Sequence, residues 1–283
     1  MSLGKQAKRQ INKKTMPQTY LLRSLAAASL LLLAACPRYP MPENATGVPS
    51  ELIDAIEARA NSISDLRISA KADYWDFDKN ERVAGRDVVI SARLPASLRI
   101  TLSSFDKALA TLVSDGERFA MIDTQQSVYY EGPASPENLS QLIPLYLSAR
   151  DFVRVLSGAF PVDELHAEWR ARAELGWNSD RGRYRLTLPR VDGGALRIEA
   201  SHPEFDVQVI EILDANGESQ YVYKATDFIK IGSTRLPTIC RFELVSRQVD
   251  VTIRSEKTDV DLQLIDRVFE LPLPPGFELV SLP

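Results

Sequence analysis

A period-two alternation of apolar and polar residues runs through Leu98-Arg99-Ile100-Thr101-Leu102-Ser103-Ser104-Phe105-Asp106-Lys107-Ala108-Leu109-Ala110-Thr111-Leu112. Such alternation predicts strands with one covered face and one face in water. The polar residues on either side of Phe105 predict a chain reversal at the surface between two strands. Asp115-Gly116 follows, and this pair favours a tight hairpin turn because both residues tolerate positive φ. The segment therefore predicts consecutive antiparallel strands.

The same alternation extends before and after this segment. Residues 66–74 and 88–94 have it upstream, and Asn216-Gly217 gives a second hairpin signal downstream. We predict roughly a dozen short strands, as in a sandwich or barrel, and among them are residues 169–175, 184–188, 207–213, 239–245, 249–253 and 260–265. No break in composition divides residues 50–283, which are expected to form one domain.

Helical patterns occur at two places. Residues 49–61 begin with Pro49-Ser50 and place apolar residues on one stripe, so they predict a helix. A helical insert interrupts the β pattern after Ser135-Pro136 and restarts at Ser148, where the sequence resembles a capping box. This insert has more apolar residues than packing one side of a helix would bury. They include Leu139, Leu142, Ile143, Phe152, Val153 and Leu156.

The N-terminus has the three parts of a secretory signal. Residues 1–35 contain six basic and no acidic residues, and a run of apolar and small residues ends directly before Cys36. This run is too short to span a bilayer, which needs roughly 20 apolar residues. Met16 offers an alternative start that would give a signal of more usual length. An ordinary cleaved signal that happens to end near a cysteine is the simpler alternative.

Leu33-Ala34-Ala35-Cys36 resembles the lipoprotein box of bacteria. The resemblance implies cleavage before Cys36 and a covalent acyl and diacylglyceryl (palmitate-type) lipid on its thiol, which would be the only membrane attachment. Pro37 stands where an aspartate is associated with inner-membrane retention, so the outer membrane is the expected location. Residues 36–49 contain four prolines and predict a semi-rigid tether of up to about 40 Å.

Charge and composition exclude several classes of function. The sequence has 34 lysine and arginine residues, of which six lie in the signal. The remainder therefore has 28 basic and 38 acidic residues, and its net charge is about −10. This balance argues against nucleic acid as a partner. Cys240 has no partner once Cys36 is lipidated, and it is expected to be a small core residue.

Motifs for catalysis or metal binding are missing from the sequence. His166 and His202 are the only histidines, and neither has metal-ligand spacing to another His or Cys. No glycine-rich phosphate loop and no Gly-x-Ser-x-Gly nucleophile motif occurs. We therefore predict no catalytic residues, no metal and no cofactor other than the lipid on Cys36.

Three segments resemble the bacterial lipoprotein carrier and receptor family of LolA and LolB proteins. Residues 98–116 look like their early strands, and residues 149–161 are similar to their helical lid. Residues 268–277 resemble the C-terminal strands of related periplasmic lipoproteins. The resemblance implies a mainly β (α+β) fold, an open, incomplete antiparallel β-barrel with a helical lid on its concave face.

The same resemblance implies a cavity for acyl chains of lipids or lipoproteins, with a periplasmic carrier protein as a further partner. A lipid-anchored chain looks more like the receptor, whose loop after an early strand exposes an apolar residue, and Phe105 matches that position. The residues expected to bind or transfer lipid are therefore Phe105, Ile68, Ile90, Ile100, Leu112, Leu142, Phe152 and Leu156.

Three functions remain open from the residues. The first is a module that binds lipids or lipoproteins, the second an envelope interaction or sensor protein that carries no lipid, and the third a hydrolase with an unrecognised site. Small inward residues leave space either for a ligand or for the helices; they are Ala70, Ala72, Ala92, Ala108, Ala110, Ala171, Ala173 and Ala200. A ligand-filled apolar cavity favours the first function, and a cavity plugged by aromatic side chains favours the second.

Overall fold

The computed structural model describes residues 38–105, 107–143 and 146–283, without the side chain of Leu142. Residues 1–37, with the expected signal and Cys36, lie outside this description. The helices are α1 (Pro49–Ala60), α2 (Pro136–Leu142) and α3 (Ala149–Leu156). The strands are β1 (Asp65–Asp76), β2 (Glu81–Arg93), β3 (Ser97–Ser104), β4 (Lys107–Ser114), β5 (Arg118–Asp123), β6 (Val128–Pro133), β7 (Glu174–Asn178), β8 (Arg183–Pro189), β9 (Ala195–Ala200), β10 (Val207–Leu213), β11 (Ser219–Ile231), β12 (Thr234–Leu244), β13 (Val249–Val260) and β14 (Glu278–Ser281).

These strands form one sheet with the order β14-β6-β5-β4-β3-β2-β1-β13-β12-β11-β10-β9-β8-β7. In the part of the chain that the structure describes, the edge strands β14 and β7 do not pair with each other, so the sheet is an open barrel, as predicted. All neighbours are antiparallel except β14 and β6. The parallel pair departs from the expected all-antiparallel sheet because the chain crosses back over residues 261–277 before β14 begins.

The turns gather at two rims because successive strands run in opposite directions. The open rim carries residues 77–80, the turn at Phe105 and residues 245–248. The helical rim carries residues 94–96, 179–182 and 201–206. Helix α1 lies along the helical rim, since Arg59 donates hydrogen bonds of 2.8 Å to the Glu204 carbonyl and to Asp206 Oδ1. The helix therefore closes one end of the barrel.

The core fills the concave side of the sheet. Leu52, Ile53 and Ile56 of α1 are fully buried, as predicted from their stripe. Phe152 of α3 is also buried, and its ring centroid lies 5.8 Å from that of Phe242 on β12. Full burial of one such side chain stabilises the fold by roughly 1.5–3 kcal/mol. Both helices are therefore seated on the sheet by apolar contacts.

The segment before α1 is bound to the domain from Tyr39 onward. The Tyr39 amide donates to the Ser179 carbonyl at 2.7 Å, and Trp177 Nε1 donates to the Tyr39 carbonyl at 2.8 Å. The Thr46 amide donates to Tyr184 Oη at 3.0 Å. These contacts lie at the helical rim. The described part of the expected tether therefore follows the surface of the barrel at that rim.

The predicted strand over residues 169–175 is wrong for most of its length. The Trp169 amide bonds to the His166 carbonyl at 2.9 Å, and the Arg172 amide bonds to the Glu168 carbonyl at 3.2 Å, so the chain forms turns. Trp169 packs edge-on against Phe160, which holds the turns to the core. Strand β7 begins only at Glu174, because tertiary packing overrides the local alternation.

The predicted strand over residues 260–265 is also wrong. Strand β13 ends at Val260, and Asp261 adopts a φ of +54°. The buried Asp65 carboxylate accepts the amide hydrogens of Leu262 at 2.7 Å and Leu264 at 3.1 Å. These bonds to a side chain replace the ladder that a strand would need.

The two predicted hairpin turns and the two predicted helix caps are confirmed. Gly116 and Gly217 have φ values of +100° and +81° in the turns after β4 and β10. Ser135 and Ser148 cap α2 and α3, and each hydroxyl accepts the amide hydrogen three residues later. Cys240 is half-buried against the core, with its Sγ 3.4 Å from Tyr223 Oη. In the described residues no helix is long and apolar enough to cross a bilayer.

Candidate functional site

An apolar cavity of about 270 Å³ lies between the concave face of the sheet and the helical insert. Inward residues of β1 to β5 and β13 form its wall, and Ile143 and Phe152 cover it. Tyr74, Val83 and Arg86 mark its end at the open rim. Of its 15 lining residues, 14 are apolar or aromatic, so a polar ligand would find few hydrogen-bond partners inside.

The register of the sheet places the inward residues in rows, and one row includes four residues that line the cavity, namely Ile90, Ile100, Leu112 and Met121. Ile68, Ile90, Ile100, Leu112 and Met121 stand opposite one another on β1 to β5. Residues directly opposite in neighbouring strands point to the same face. A continuous apolar row therefore crosses five strands, and the alternation in each strand is what orients it.

The structure brings together half of the residues predicted to bind or transfer lipid. Ile68 and Leu156 are buried in the core but do not line the cavity. The side chain of Leu142 and all of Cys36 fall outside the described residues. The predicted residues that do line the cavity are Ile90, Ile100, Leu112 and Phe152.

Phe105 lies in the β3–β4 turn with 93% of its surface exposed and a φ of +48°. Its neighbour Ser104 accepts a 2.6 Å hydrogen bond from Arg86 Nη1. Because Arg86 lines the cavity, the exposed aromatic ring stands beside the open end of the cavity rather than inside it. The prediction that Phe105 is exposed in a turn at the surface agrees with this geometry.

Arg86 was missed by sequence reasoning, although a signal was present. It has the same parity as Val88 and Ile90 in β2, so alternation points its side chain inward. Within the described chain its guanidinium takes part in no ion pair. An inward arginine marks where the apolar lining ends and the polar rim begins.

Further aromatic residues are exposed at the open rim. Trp75 and Phe77 stack with ring centroids 5.0 Å apart, and the Arg82 guanidinium carbon lies 5.4 Å from the Trp75 ring centre. Trp75 alternates with Tyr74, which lines the cavity, so the stacked pair lies on the outer face. The open rim thus exposes aromatic side chains at two turns.

Helix α3 covers the cavity and is held at its N-terminus by a buried carboxylate. Asp151 accepts amide hydrogens from Val162 at 2.7 Å and from Asp163 at 3.3 Å. Burial, and next the nearby Asp163 charge, raise the pKa of Asp151 to about 7. Arg154 ties the helix to Glu57 of α1 with an N–O distance of 3.3 Å. That this helix opens as a lid stays a prediction.

Candidate catalytic and metal-binding groups are scattered. His202 contacts Tyr184 Oη at 3.1 Å and Asn44 Oδ1 at 3.2 Å, next to the helical rim. No group of three His, Cys, Asp or Glu side chains within residues 38–105, 107–143 and 146–283 is placed to hold a metal ion.

Comparisons with known proteins give a structural likeness only. No protein-family model matches the sequence, and a search of curated proteins finds no match. A DUF1329 family protein from Desulfovibrio piger superposes with a TM-score of 0.61 at 14% identity, over 80% of this chain and 98% of its own. An outer membrane lipoprotein-sorting protein domain from Vibrio parahaemolyticus gives 0.57 at 9% identity, over 77% and 94%.

A LolA superfamily protein from Nitrosomonas europaea gives a TM-score of 0.55 at 10% identity, over 80% of this chain and 99% of its own. At such low identity the likeness concerns the path of the chain. The chain therefore has a LolA-like fold, in which an open sheet carries a helical cover on its concave face.

Proposed function

We propose that this chain is a lipid-anchored protein of the outer membrane, facing the periplasm, that binds acyl chains of lipids or lipoproteins. It would take part in the localisation of lipoproteins or lipids in the cell envelope. The observation that carries the proposal is the apolar cavity of about 270 Å³ with Phe105 exposed beside its open end. The proposed function is binding and transfer, and it assigns no catalytic activity to the protein.

The lining of the cavity supports an acyl chain over other ligands. A methylene group that moves from water into an apolar site gains about 0.8 kcal/mol, so several groups together give useful affinity. A sugar or nucleotide would lose hydrogen bonds to water that these walls do not replace. Because the cavity remains open beside Phe152, an acyl-binding protein is better supported than a sensor that carries no lipid.

The fold and the N-terminal sequence support the cellular role. Solved proteins with this fold include one named for outer membrane lipoprotein sorting and one named for the LolA superfamily. A lipid on Cys36 would hold the domain at the membrane, where a periplasmic carrier protein would deliver its cargo. Ile90, Ile100, Leu112 and Phe152 would contact the acyl chain.

The proposal is tested by filling the cavity. Ala110 lines it and is half-buried, so Ala110→Phe places a ring in the cavity without displacing a core side chain. We expect this variant to lose at least about tenfold in affinity for a fluorescent fatty acid, the equivalent of about 1.4 kcal/mol. Mass spectrometry of the non-covalent lipids that co-purify with the Cys36→Ser form should find acyl chains that its Ala110→Phe variant lacks.

Val89→Phe is the matched control. Val89 is 40% exposed on β2 and does not line the cavity, so the same ring is added on the outer face. We expect it to bind the probe like the wild type. Equal binding by Ala110→Phe, with its fold retained by circular dichroism, would show that the cavity is only a packing defect.

A further inference from the structure

A second cavity adjoins the apolar one at the open rim. It has a volume of about 470 Å³ and shares Tyr74 and Ile143 with the apolar cavity. It lies between the β1–β2 turn, the end of α2 and the turn before β13. We call it the polar chamber, after the polar side chains in its wall, which are Asp76, Asp78, Lys79, Ser140, Gln141, Ser246 and Arg247.

One pair of charges in the polar chamber is neutralised internally. The Asp76 carboxylate lies 3.0 Å from Lys79 Nζ and accepts a 3.2 Å hydrogen bond from Tyr74 Oη. It also accepts the Lys79 amide hydrogen at 3.0 Å. Asp76 is therefore a fixed part of the β1–β2 turn, and it leaves little attraction for a ligand.

The polar chamber also contains a second cation and a second anion, Arg247 and Asp78, and these two are not neutralised by an ion pair within the described residues. Arg247 Nη1 donates to the Ser140 carbonyl at 2.7 Å, which holds the guanidinium against the end of α2. Neither Arg247 nor Asp78 makes an ion pair in the part of the chain that the structure describes. The chamber thus offers one cation and one anion at the end of an apolar cavity.

We propose that the ligand is an amphiphile with a zwitterionic head group, whose apolar chain fills the apolar cavity and whose head occupies the polar chamber. The inference rests on the proposed function. A phosphate on the head would bind Arg247, because a guanidinium matches phosphate oxygens with two parallel hydrogen bonds. An ammonium group would lie near Asp78. The phosphoethanolamine head has this chemistry.

Charge complementarity separates this ligand class from its alternatives. An anionic head would bind Arg247 but would meet the unpaired charge of Asp78. Both side chains are exposed at the open rim, so an uncharged head would gain no ion pair with either of them and would leave them to water. Only a head with both charges satisfies both groups.

The test compares three single-chain amphiphiles with the same acyl chain: lysophosphatidylethanolamine, lysophosphatidylglycerol and monoacylglycerol. Each displaces the fluorescent fatty acid from the full chain with Cys36→Ser, in which no covalent lipid competes for the cavity. We expect the zwitterionic lipid to bind about tenfold more tightly than the other two. Arg247→Gln should weaken both phospholipids, and Asp78→Asn should abolish the preference between them.

Arg118→Gln is the control, because Arg118 is an exposed arginine at the helical-rim end of β5 and lines neither cavity. It should bind all three lipids like the wild type. Equal displacement by the three lipids, or anionic lipid binding as tightly as zwitterionic lipid, would overturn the inference and leave the proposed function intact. If neither the probe nor any of these lipids binds the wild type, the proposed function itself fails.

Discussion

Phe105 combines almost complete exposure with a left-handed backbone, at φ +48°. This conformation costs a residue with a bulky side chain roughly 1–2 kcal/mol, and the exposed ring gains little from packing. We therefore expect Phe105→Asn to raise the free energy of unfolding by up to about 1 kcal/mol, since asparagine tolerates this backbone.

Phe105→Glu should leave that free energy within about 0.5 kcal/mol of the wild type. Both variants should lose lipid or lipoprotein transfer to liposomes. Chemical denaturation and a transfer assay measure the two effects. Strong destabilisation by glutamate would mean that the ring is packed, and normal transfer by both variants would leave the turn without a role.

Asp151 gives the stability of the domain a dependence on pH. Its folded pKa is about 7 against roughly 3.9 in an unfolded chain, because burial and Asp163 disfavour the charged form. The folded state therefore holds a proton that the unfolded state has lost between these values. This contribution to stability is complete below about pH 4 and disappears as the pH rises through 7, by at most about 1.4 kcal/mol per pH unit.

Asp151→Asn should flatten this decline between about pH 4 and 7. Denaturation midpoints of wild type and variant at four pH values measure it, with Glu168→Gln, an exposed acid, as the control. Besides Asp163, the charged groups facing Asp151 include Arg154, and Arg150 lies 3.9 Å from Asp163. A decline of equal slope in wild type and variant would assign it to other groups.

At the scale of elements, the sequence correctly predicted the features that depend on a few neighbouring residues, namely helix caps, hairpin turns and the face to which a strand residue points. The cap at Ser148, the hairpin glycines and the inward row of Ile90, Ile100 and Leu112 all follow from dihedral preference or period. Residues 169–173 have a strand period but form turns held by core contacts, which a local pattern does not contain. The parallel β14 likewise depends on where the chain returns after residue 260.

The small inward residues show the same limit within the site. Ala70 and Ala92 are buried in the core, whereas Ala72 and Ala110 line the cavity. These four alanines have similar neighbours in the sequence. The alternation therefore predicted that they point to the concave face, but not whether a helix or an open space lies against them there. Only the position of α3 along the strands distinguishes the two outcomes. The charged end of the cavity could have been predicted, because Arg86 occupies the same alternate positions of β2 as the inward Val88 and Ile90.

At the scale of the whole molecule, the two rims have different roles. Helix α1 closes the helical rim, and Tyr39 is bound there to Ser179 and Trp177. The apolar cavity, Phe105 and the stacked Trp75 and Phe77 belong to the open rim. Two residues lie between Cys36 and Tyr39, so the three residue-to-residue steps span at most about 10 Å.

With Cys36 lipidated, as we propose, this arrangement predicts the orientation of the protein on the membrane. The 12 residues of β1 extend roughly 40 Å, and the eight of β3, which ends just before Phe105, roughly 26 Å, so the open rim would stand well away from a membrane that held a lipidated Cys36. Phe105 would then face an arriving carrier or its cargo rather than the lipid surface of its own anchor. Fluorophores on single cysteines at Met41 and Phe105 report the two positions, because burial raises the pKa of the Cys240 thiol to about 11 and keeps it protonated at neutral pH.

On liposomes with nitroxide-labelled head groups, we expect strong quenching of the label at position 41 and weak quenching at position 105. A version of residues 36–283 with Cys36→Ser, which lacks the signal and the lipid, should show quenching at neither position, because its net charge of about −10 gives it no attraction to an anionic surface. Equal quenching at both positions in the lipidated protein would mean that the barrel lies flat on the bilayer. Phe105 would then touch the membrane of its own anchor, and cargo would enter the cavity from that surface.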